Sequence, residues 1–112
     1  MSVPKPRFNS FAEFWPYYLS QHRKPQTRAL HYAGMGLAAL CLGAALMTGA
    51  WLWAVVAVIA VYGPAWTGHA IVERNRPATF SYPYRSILGD CRMTALALSG
   101  RLKAELARYE IG

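Results

Sequence analysis

Three histidines and one glutamate lie at the two ends of the longest uncharged stretch in the chain. Residues 29–72 contain no Lys, Arg, Asp or Glu. His31 lies just inside the start of this stretch, His69 lies just inside its end, and Glu73 is the first charge after it, while His22 precedes it by a short loop. Neutral imidazoles with a nearby carboxylate suit a first-row divalent metal, and iron with open coordination positions uses such sets. The residue types therefore indicate a candidate metal site.

The length of the uncharged stretch predicts the element that positions these residues. As one helix, its 44 residues would measure about 66 Å, roughly twice the hydrocarbon core of a membrane. We therefore expect a helical hairpin with transmembrane helices over residues 30–47 and 50–71 and a break near Thr48-Gly49. His31 and His69 lie at similar distances from that break, so both should reach the same depth. His69 and Glu73 are spaced i,i+4, which places them on one helical face.

The net charge of +7 flanks the apolar stretch rather than interrupting it. Positive charge on both flanks is typical of cytoplasmic loops that contact anionic lipid headgroups, so both termini are expected to face the cytoplasm. A basic stripe interleaved with aromatic residues, which would indicate nucleic-acid binding, is missing from the sequence. The basic residues that flank the apolar stretch are Lys5, Arg7, Arg23, Lys24, Arg28, Arg74, Arg76, Arg85 and Arg92.

Amphipathic helices are expected on both sides of the hairpin. Ser10 and Glu13 form a capping box that opens a helix over residues 11–22 with a bulky aromatic face, and the Lys24-Pro25 break can turn His22 back toward His31. Residues 78–85 are interpreted as an ordered loop. A final helix is expected over residues 86–109, with a largely apolar stripe near helical spacing that includes Leu88, Leu98 and Leu102 and is widened by Leu106. The predicted fold is thus a single all-α integral membrane domain over residues 1–112, with four helices of which two span the membrane.

Several alternatives remain open on the residues alone. The first apolar segment could belong to a cleaved signal peptide, or both segments to a soluble helical bundle. A lone histidine at a membrane interface is more often a hydrogen-bonding residue than a ligand. A non-catalytic membrane protein that binds lipid or a partner, and a structural zinc site, are the rivals to an enzyme. Close helix packing permits a homo-oligomer, Asp90 is a weaker site candidate, and Cys41 and Cys91 are expected to be buried free thiols.

The sequence resembles the 2-hydroxy-fatty-acid dioxygenases from about residue 11 to residue 93. The resemblance rests on Phe-Trp-Pro-Tyr-Tyr-Leu-Ser-Gln-His at residues 14–22, on the spacing of His22 and His31, on Tyr-Gly-Pro-Ala-Trp-Thr-Gly-His at residues 62–69, and on Glu73-x3-Pro-Ala. The residues that follow look like those of a shorter bacterial-type subgroup. The resemblance implies a membrane enzyme that needs ferrous iron and uses dioxygen to shorten 2-hydroxy fatty acids by one carbon.

Carried over to this chain, the resemblance implies an Fe(II) site held by His22, His31 and His69. Our mechanistic hypothesis adds Glu73 as a fourth ligand or as a group that orients an imidazole. Guanidinium groups suit carboxylates, and the candidates for pairing with the substrate carboxylate are Arg28, Arg74 and Arg76. The expected partners are a 2-hydroxy fatty acid, dioxygen and membrane lipid, and the expected location is a bacterial inner membrane.

Overall fold

The computed structural model describes residues 8–77 and 81–111, and within these ranges every regular element is helical. The prediction of an all-α fold is therefore confirmed. The described elements are five α-helices and one π-helical segment that continues the third: α1 (Phe11–Ser20), α2 (Pro25–Thr48), α3 (Leu52–Thr67), the π-helical segment (Gly68–Glu73), α4 (Pro83–Leu98) and α5 (Leu102–Arg108).

Helices α2 and α3 form the hairpin, and its turn lies where the sequence predicts it. Gly49 ends α2 with a φ of 71° and donates its N–H to the Ala45 carbonyl at 2.9 Å, a left-handed conformation that favours glycine. Helix α2 begins at Pro25 rather than at the expected Leu30. Proline suits the first position of a helix, since the N–H that it lacks would have no intrahelical partner there.

The surface of the hairpin supports membrane association. Both Pro25–Thr48 and Leu52–Glu73 are long and apolar enough to cross a membrane. Within the most apolar 18-residue stretch of each, however, only 22% and 28% of the residues are buried. Large side chains such as Leu46 and Met47 are each 88% exposed. A soluble protein rarely exposes so much contiguous apolar surface, which argues against the soluble bundle.

Small residues hold the two hairpin helices together. Ala38, Cys41, Ala57 and Ala60 form a buried cluster, which we call the hairpin core. A Cβ atom on Gly34 would lie 2.5 Å from the carbonyl oxygen of Ala60, so the two backbones touch at this point. Close backbone approach of this kind is how helices associate in lipid.

A second core lies among α1, α4 and α5 and consists mainly of large side chains. We call it the aromatic core; its buried members are Phe14, Trp15, Tyr18, Leu19, Met93, Leu102, Leu106 and Ile111. Helix α1 starts at the predicted cap, where the Ser10 hydroxyl accepts a hydrogen bond from the Glu13 N–H at 3.2 Å. It ends at Ser20, two residues earlier than expected.

The prediction of one C-terminal helix over residues 86–109 is wrong, and so is the count of four helices. Gly100 has a φ of 74° and separates α4 from α5, because the left-handed conformation stops an α-helix. Helix α4 also begins at Pro83, so residues 83–85 of the expected loop are helical, whereas residues 78–80 lie outside the described ranges.

The buried face of α4 also differs from the expected apolar stripe. Leu88 is 56% exposed and Leu98 is 86% exposed, while the buried residues of this helix are Ser86, Gly89, Asp90 and Met93. Gly89 lies against the ring of Tyr18, and a Cβ atom there would be 2.7 Å from Tyr18 Cδ2. Of the two free cysteines, Cys41 is buried as expected and Cys91 is exposed.

Candidate metal centre

The structure brings the three histidines of the chain into one buried cluster. His22 follows the end of α1, His31 lies near the start of α2, and His69 lies in the π-helical segment. Their side chains are at most 4% exposed. The Nε2 atom of His22 lies 3.0 Å from that of His31 and 3.1 Å from that of His69. The hairpin therefore places His31 and His69 at one depth, and the α1–α2 loop adds His22.

Each imidazole is oriented by a hydrogen bond at its other ring nitrogen. Nδ1 of His22 donates to the Tyr18 carbonyl at 2.7 Å, and Nδ1 of His31 donates to the Thr27 carbonyl at 2.8 Å. Nδ1 of His69 donates to Oδ1 of Asn75 at 2.6 Å. Since carbonyl oxygens only accept, the protons of the neutral rings must be on Nδ1.

This pattern leaves three Nε2 lone pairs that face one another. Nε2 of His22 is in contact with the other two, and acceptors in contact without a proton between them repel, so a cation bound among them would remove the repulsion. Two imidazole nitrogens bound to one ion at roughly 2.1 Å are about 3.0 to 3.4 Å apart, and the observed separations of 3.0 and 3.1 Å match that range. The donor set thus fits a divalent metal ion.

Asn75 is a site residue that the sequence reasoning missed. Its Nδ2 atom donates to the backbone carbonyl and to the side-chain oxygen of Gln21, both at 3.0 Å, which fixes Oδ1 toward His69. A backbone hydrogen bond of 2.9 Å from the Asn75 N–H to the His69 carbonyl holds the same turn. Because metal-bound imidazoles almost always donate their second N–H to an oxygen acceptor, an amide shortly after His69 was the available signal.

Asp90, the weaker candidate, is the carboxylate that the structure places beside the cluster. Its Oδ1 atom lies 3.9 Å from Nε2 of His31 and accepts a hydrogen bond from the Tyr18 hydroxyl. The pKa of Asp90 is raised to about 6, because the effect of burial exceeds the opposing effect of the hydrogen bond from Tyr18. Burial, with the neighbouring Asp90 next in importance, raises the pKa of Tyr18 well above its ordinary value, so the phenol stays protonated.

The electrostatics of His22 favour the neutral ring. Burial lowers the pKa of His22 well below its ordinary value, and the adjacent His31 and His69 lower it further, although the hydrogen bond to the Tyr18 carbonyl opposes the shift. A neutral imidazole is the form that binds metals.

Glu73 lies apart from the cluster. Its carboxylate accepts a hydrogen bond from the backbone N–H of Lys24, while Nζ of Lys24 donates to the Val72 carbonyl at 3.0 Å. Helix α2 has no side-chain cap of its own and no acidic residue in its first turn, and the unpaired N–H groups of a helix N-terminus attract a carboxylate. Glu73 therefore joins the end of the π-helical segment to the start of α2. The side chain that accepts the hydrogen bond from the His69 ring is Asn75, not Glu73.

The three arginines expected near the substrate are not part of the cluster. Nη1 of Arg28 donates to the carbonyls of His22 at 2.9 Å and Arg23 at 2.7 Å, which closes the loop between α1 and α2. Arg74 and Arg76 are exposed on the segment that follows the π-helical segment. Arg28 thus supports the backbone that carries His22.

Two cavities adjoin the cluster. The smaller, of about 10 Å³, is lined by the three histidines together with Tyr62 and Asp90, and its volume is close to that of a site for one water molecule. The larger is an apolar groove of about 330 Å³ between α2 and α3, and Tyr62 and Asp90 also line it.

A protein-family model matches most of the chain. The family model described as 2-hydroxy-palmitic acid dioxygenase Mpo1-like covers residues 8–102 of the chain, a range that contains the three histidines, Asn75 and Asp90. No curated protein and no solved structure matches the chain significantly.

Proposed function

The chain belongs to the 2-hydroxy-palmitic acid dioxygenase Mpo1-like family, and from this premise we propose that it is a membrane enzyme that shortens 2-hydroxy fatty acids by one carbon with Fe(II) and dioxygen. The observation that carries the proposal is the convergence of three Nε2 lone pairs, each fixed by a hydrogen bond at Nδ1. This arrangement favours a bound cation, which supports the proposal.

His22, His31 and His69 are the residues that would hold the iron, and Asn75 orients the ring of His69. Ferrous iron, when bound, supplies the activation of dioxygen, for which amino-acid side chains alone are unsuited. Three protein ligands leave coordination positions for other groups, as in catalytic rather than structural sites.

The side chains around the cluster can bind the polar end of a 2-hydroxy acid. The free lone pairs of the Asp90 carboxylate can accept a hydrogen bond from the substrate hydroxyl, and the Tyr18 hydroxyl holds Asp90 in place. Arg74 and Arg76 are exposed near the same end of the hairpin and attract the anionic substrate toward the membrane surface. Arg28, the third arginine, acts through the His22 backbone.

We further propose that the cluster faces the cytoplasm of a bacterial cell at its inner membrane. Both ends of the hairpin lie on the side of the cluster, and Arg23, Lys24 and Arg28 surround the start of α2. Positive residues next to transmembrane helices mark the cytoplasmic side. The substrate, itself an amphiphile, would then reach the site from the inner leaflet.

The test is the metal content and oxygen uptake of the detergent-purified protein. After anaerobic loading with Fe(II), we expect stoichiometric iron and oxygen consumption with 2-hydroxyhexadecanoic acid but not with hexadecanoic acid. His22→Ala, His31→Ala and His69→Ala should each lose the iron and reduce turnover at least about 100-fold.

Glu73→Gln is the matched control, because its amide oxygen can still accept from the Lys24 N–H. It should retain the iron, whereas loss of iron in this variant would make Glu73 a ligand. A wild-type protein without iron and without oxygen uptake would refute the enzyme, and tight zinc without uptake would favour a structural metal.

A further inference from the structure

The apolar groove between α2 and α3 leads away from the histidine cluster. Its walls run from Tyr62 to Ala54 along α3 and from Met35 to Leu42 along α2. Tyr62 lies eight positions after Ala54 on α3, which corresponds to about 12 Å along the helix. The cavity volume of about 330 Å³ lies within the range of roughly 300 to 1,000 Å³ that is usual for small-molecule sites.

The groove has a polar boundary at one end only. Tyr62 and Asp90 line both the groove and the small cavity that contains the three imidazoles, so the two spaces adjoin. Away from these two residues, the wall consists of aliphatic and Met side chains. An occupant that fits this surface has one polar end, placed at the cluster, and an apolar chain.

Short side chains on α3 create the space. Ala54, Ala57 and Val58 line the groove where larger residues would close it. Val58 is 56% exposed, so the groove is open to the hydrocarbon side of the hairpin and a chain can enter it from the lipid.

We propose that this groove binds the acyl chain of the substrate and that Val58 and Ala54 determine the chain length that is accepted. The inference rests on the proposed function for the identity of the polar end, and it adds the binding site for the rest of the molecule. The acyl chain extends from Asp90 past Val58 to Ala54, with its carboxyl end at the cluster.

The first test uses bulky residues at two distances from the cluster. Val58→Trp lies one helical turn beyond Tyr62 and should reduce kcat/KM for long 2-hydroxy acids about tenfold or more while sparing the shortest ones. Ala54→Trp lies one turn further and should exclude only the longest chains. The matched control is Ile59→Trp, because Ile59 is 64% exposed on the same helix and does not line the groove; its chain-length profile should equal that of the wild type.

A binding measurement keeps this inference separate from the proposed function. A 2-hydroxy acid with a photoreactive diazirine near its methyl end should label Ala54 or Leu42, as located to the residue by fragmentation of the labelled peptide, and unlabelled 2-hydroxy acid should compete. Competed labelling in the groove without any turnover would support the binding site and refute the enzyme. Both Trp variants near the groove should shift or abolish the label.

Two results would contradict the groove as the acyl-chain site without contradicting the proposed enzyme activity. In the first, an active wild-type protein is labelled mainly at outward-facing residues such as Leu40 and Leu46, which are 73% and 88% exposed. In the second, the groove is labelled but only phospholipid competes, which would make its occupant a membrane lipid. Equal chain-length profiles for Val58→Trp and Ile59→Trp would also contradict the inference.

Discussion

The hairpin core and the aromatic core pack helices together with different kinds of residue, small ones in the hairpin core and large ones in the aromatic core. The hairpin core consists of three alanines and a cysteine, whereas the aromatic core buries Phe14, Trp15 and Tyr18 with larger aliphatic side chains. In lipid, burying a large apolar side chain gains little over leaving it exposed, so helices associate through close backbone contact. The aromatic core lies outside the two candidate spans, and wherever water is the surrounding medium the hydrophobic effect favours large buried surfaces.

The candidate metal centre lies where these two regions meet. His22 extends from the end of α1, whose Tyr18 stacks on its ring with 4.1 Å between centroids. His31 and His69 belong to the hairpin. The two cores therefore position the candidate ligands in different ways: close backbone contact in the hairpin places His31 and His69, and side-chain packing in the aromatic core places His22.

The largest expected effect is on the aromatic core. Phe14 is fully buried, so Phe14→Ala should cost about 3 to 5 kcal/mol of local stability. Hydrogen exchange measured by mass spectrometry should then accelerate in α1 and α4 but not in the middle of α2 and α3. Tyr84→Ala is the control, since Tyr84 is 83% exposed. Equal acceleration throughout the hairpin would show that the two cores unfold as one.

A smaller effect is expected from the hairpin core. Gly34→Ala places a methyl group against the Ala60 backbone oxygen, which cannot move as a side chain could, and should destabilise the hairpin by about 1 to 3 kcal/mol. Gly36→Ala on the same helix meets nothing within 4 Å and should be neutral or stabilising by up to about 1 kcal/mol. Unfolding in mixed micelles of denaturing and mild detergent measures both. Similar stabilities for the two variants would contradict the close backbone contact.

The candidate metal centre, where the two cores meet, is tested by Asn75→Ala. This substitution removes the oxygen that accepts the hydrogen bond from Nδ1 of His69 and changes no residue of either core. Iron affinity should fall about 10- to 100-fold, as measured by competition with a chelator. The control is the helix content and thermal stability of the metal-free protein, which should change little. An unchanged iron affinity would mean that the orientation of His69 does not depend on Asn75.

The smallest effect is expected from the exposed arginines. Arg74→Ala and Arg76→Ala should each raise KM by no more than about threefold, because exposed charges contribute little per pair and are screened by salt. Steady-state kinetics at low and high salt measure this, and the difference from wild type should shrink at high salt. A large loss in kcat would instead assign one of them to the buried site.

Features that depend on chain length and local chemistry were predictable from the sequence. The uncharged stretch of 44 residues indicated the hairpin, and Gly49 marked its turn. The similar distances of His31 and His69 from that turn indicated their common depth. The Lys24-Pro25 break also indicated that His22 could return toward them. The proposals of iron as the metal and of the dioxygenase reaction came from the resemblance alone.

Features that depend on contacts between distant segments were not predictable. Glu73 pairs with Lys24, 49 residues away, and the spacing to His69 gave no sign of that partner. Helix α4 buries a polar face because Gly89 and Asp90 pack on Tyr18, whereas an apolar stripe was expected to face inward. In a membrane protein, outward-facing residues are apolar too, so hydrophobicity alone does not identify the buried side of such a helix.

The hydrogen-bond acceptors behind the three imidazoles have a consequence for charge balance. Two are backbone carbonyls and the third is the amide of Asn75, so the candidate ligands, as neutral imidazoles, have only neutral hydrogen-bond partners. A divalent ion held by them would keep its full double positive charge in a buried site. One negative charge from Asp90 and one from a bound carboxylate would neutralise it. The centre would therefore select a monoanionic substrate over a neutral one such as the methyl ester, with no arginine in direct contact.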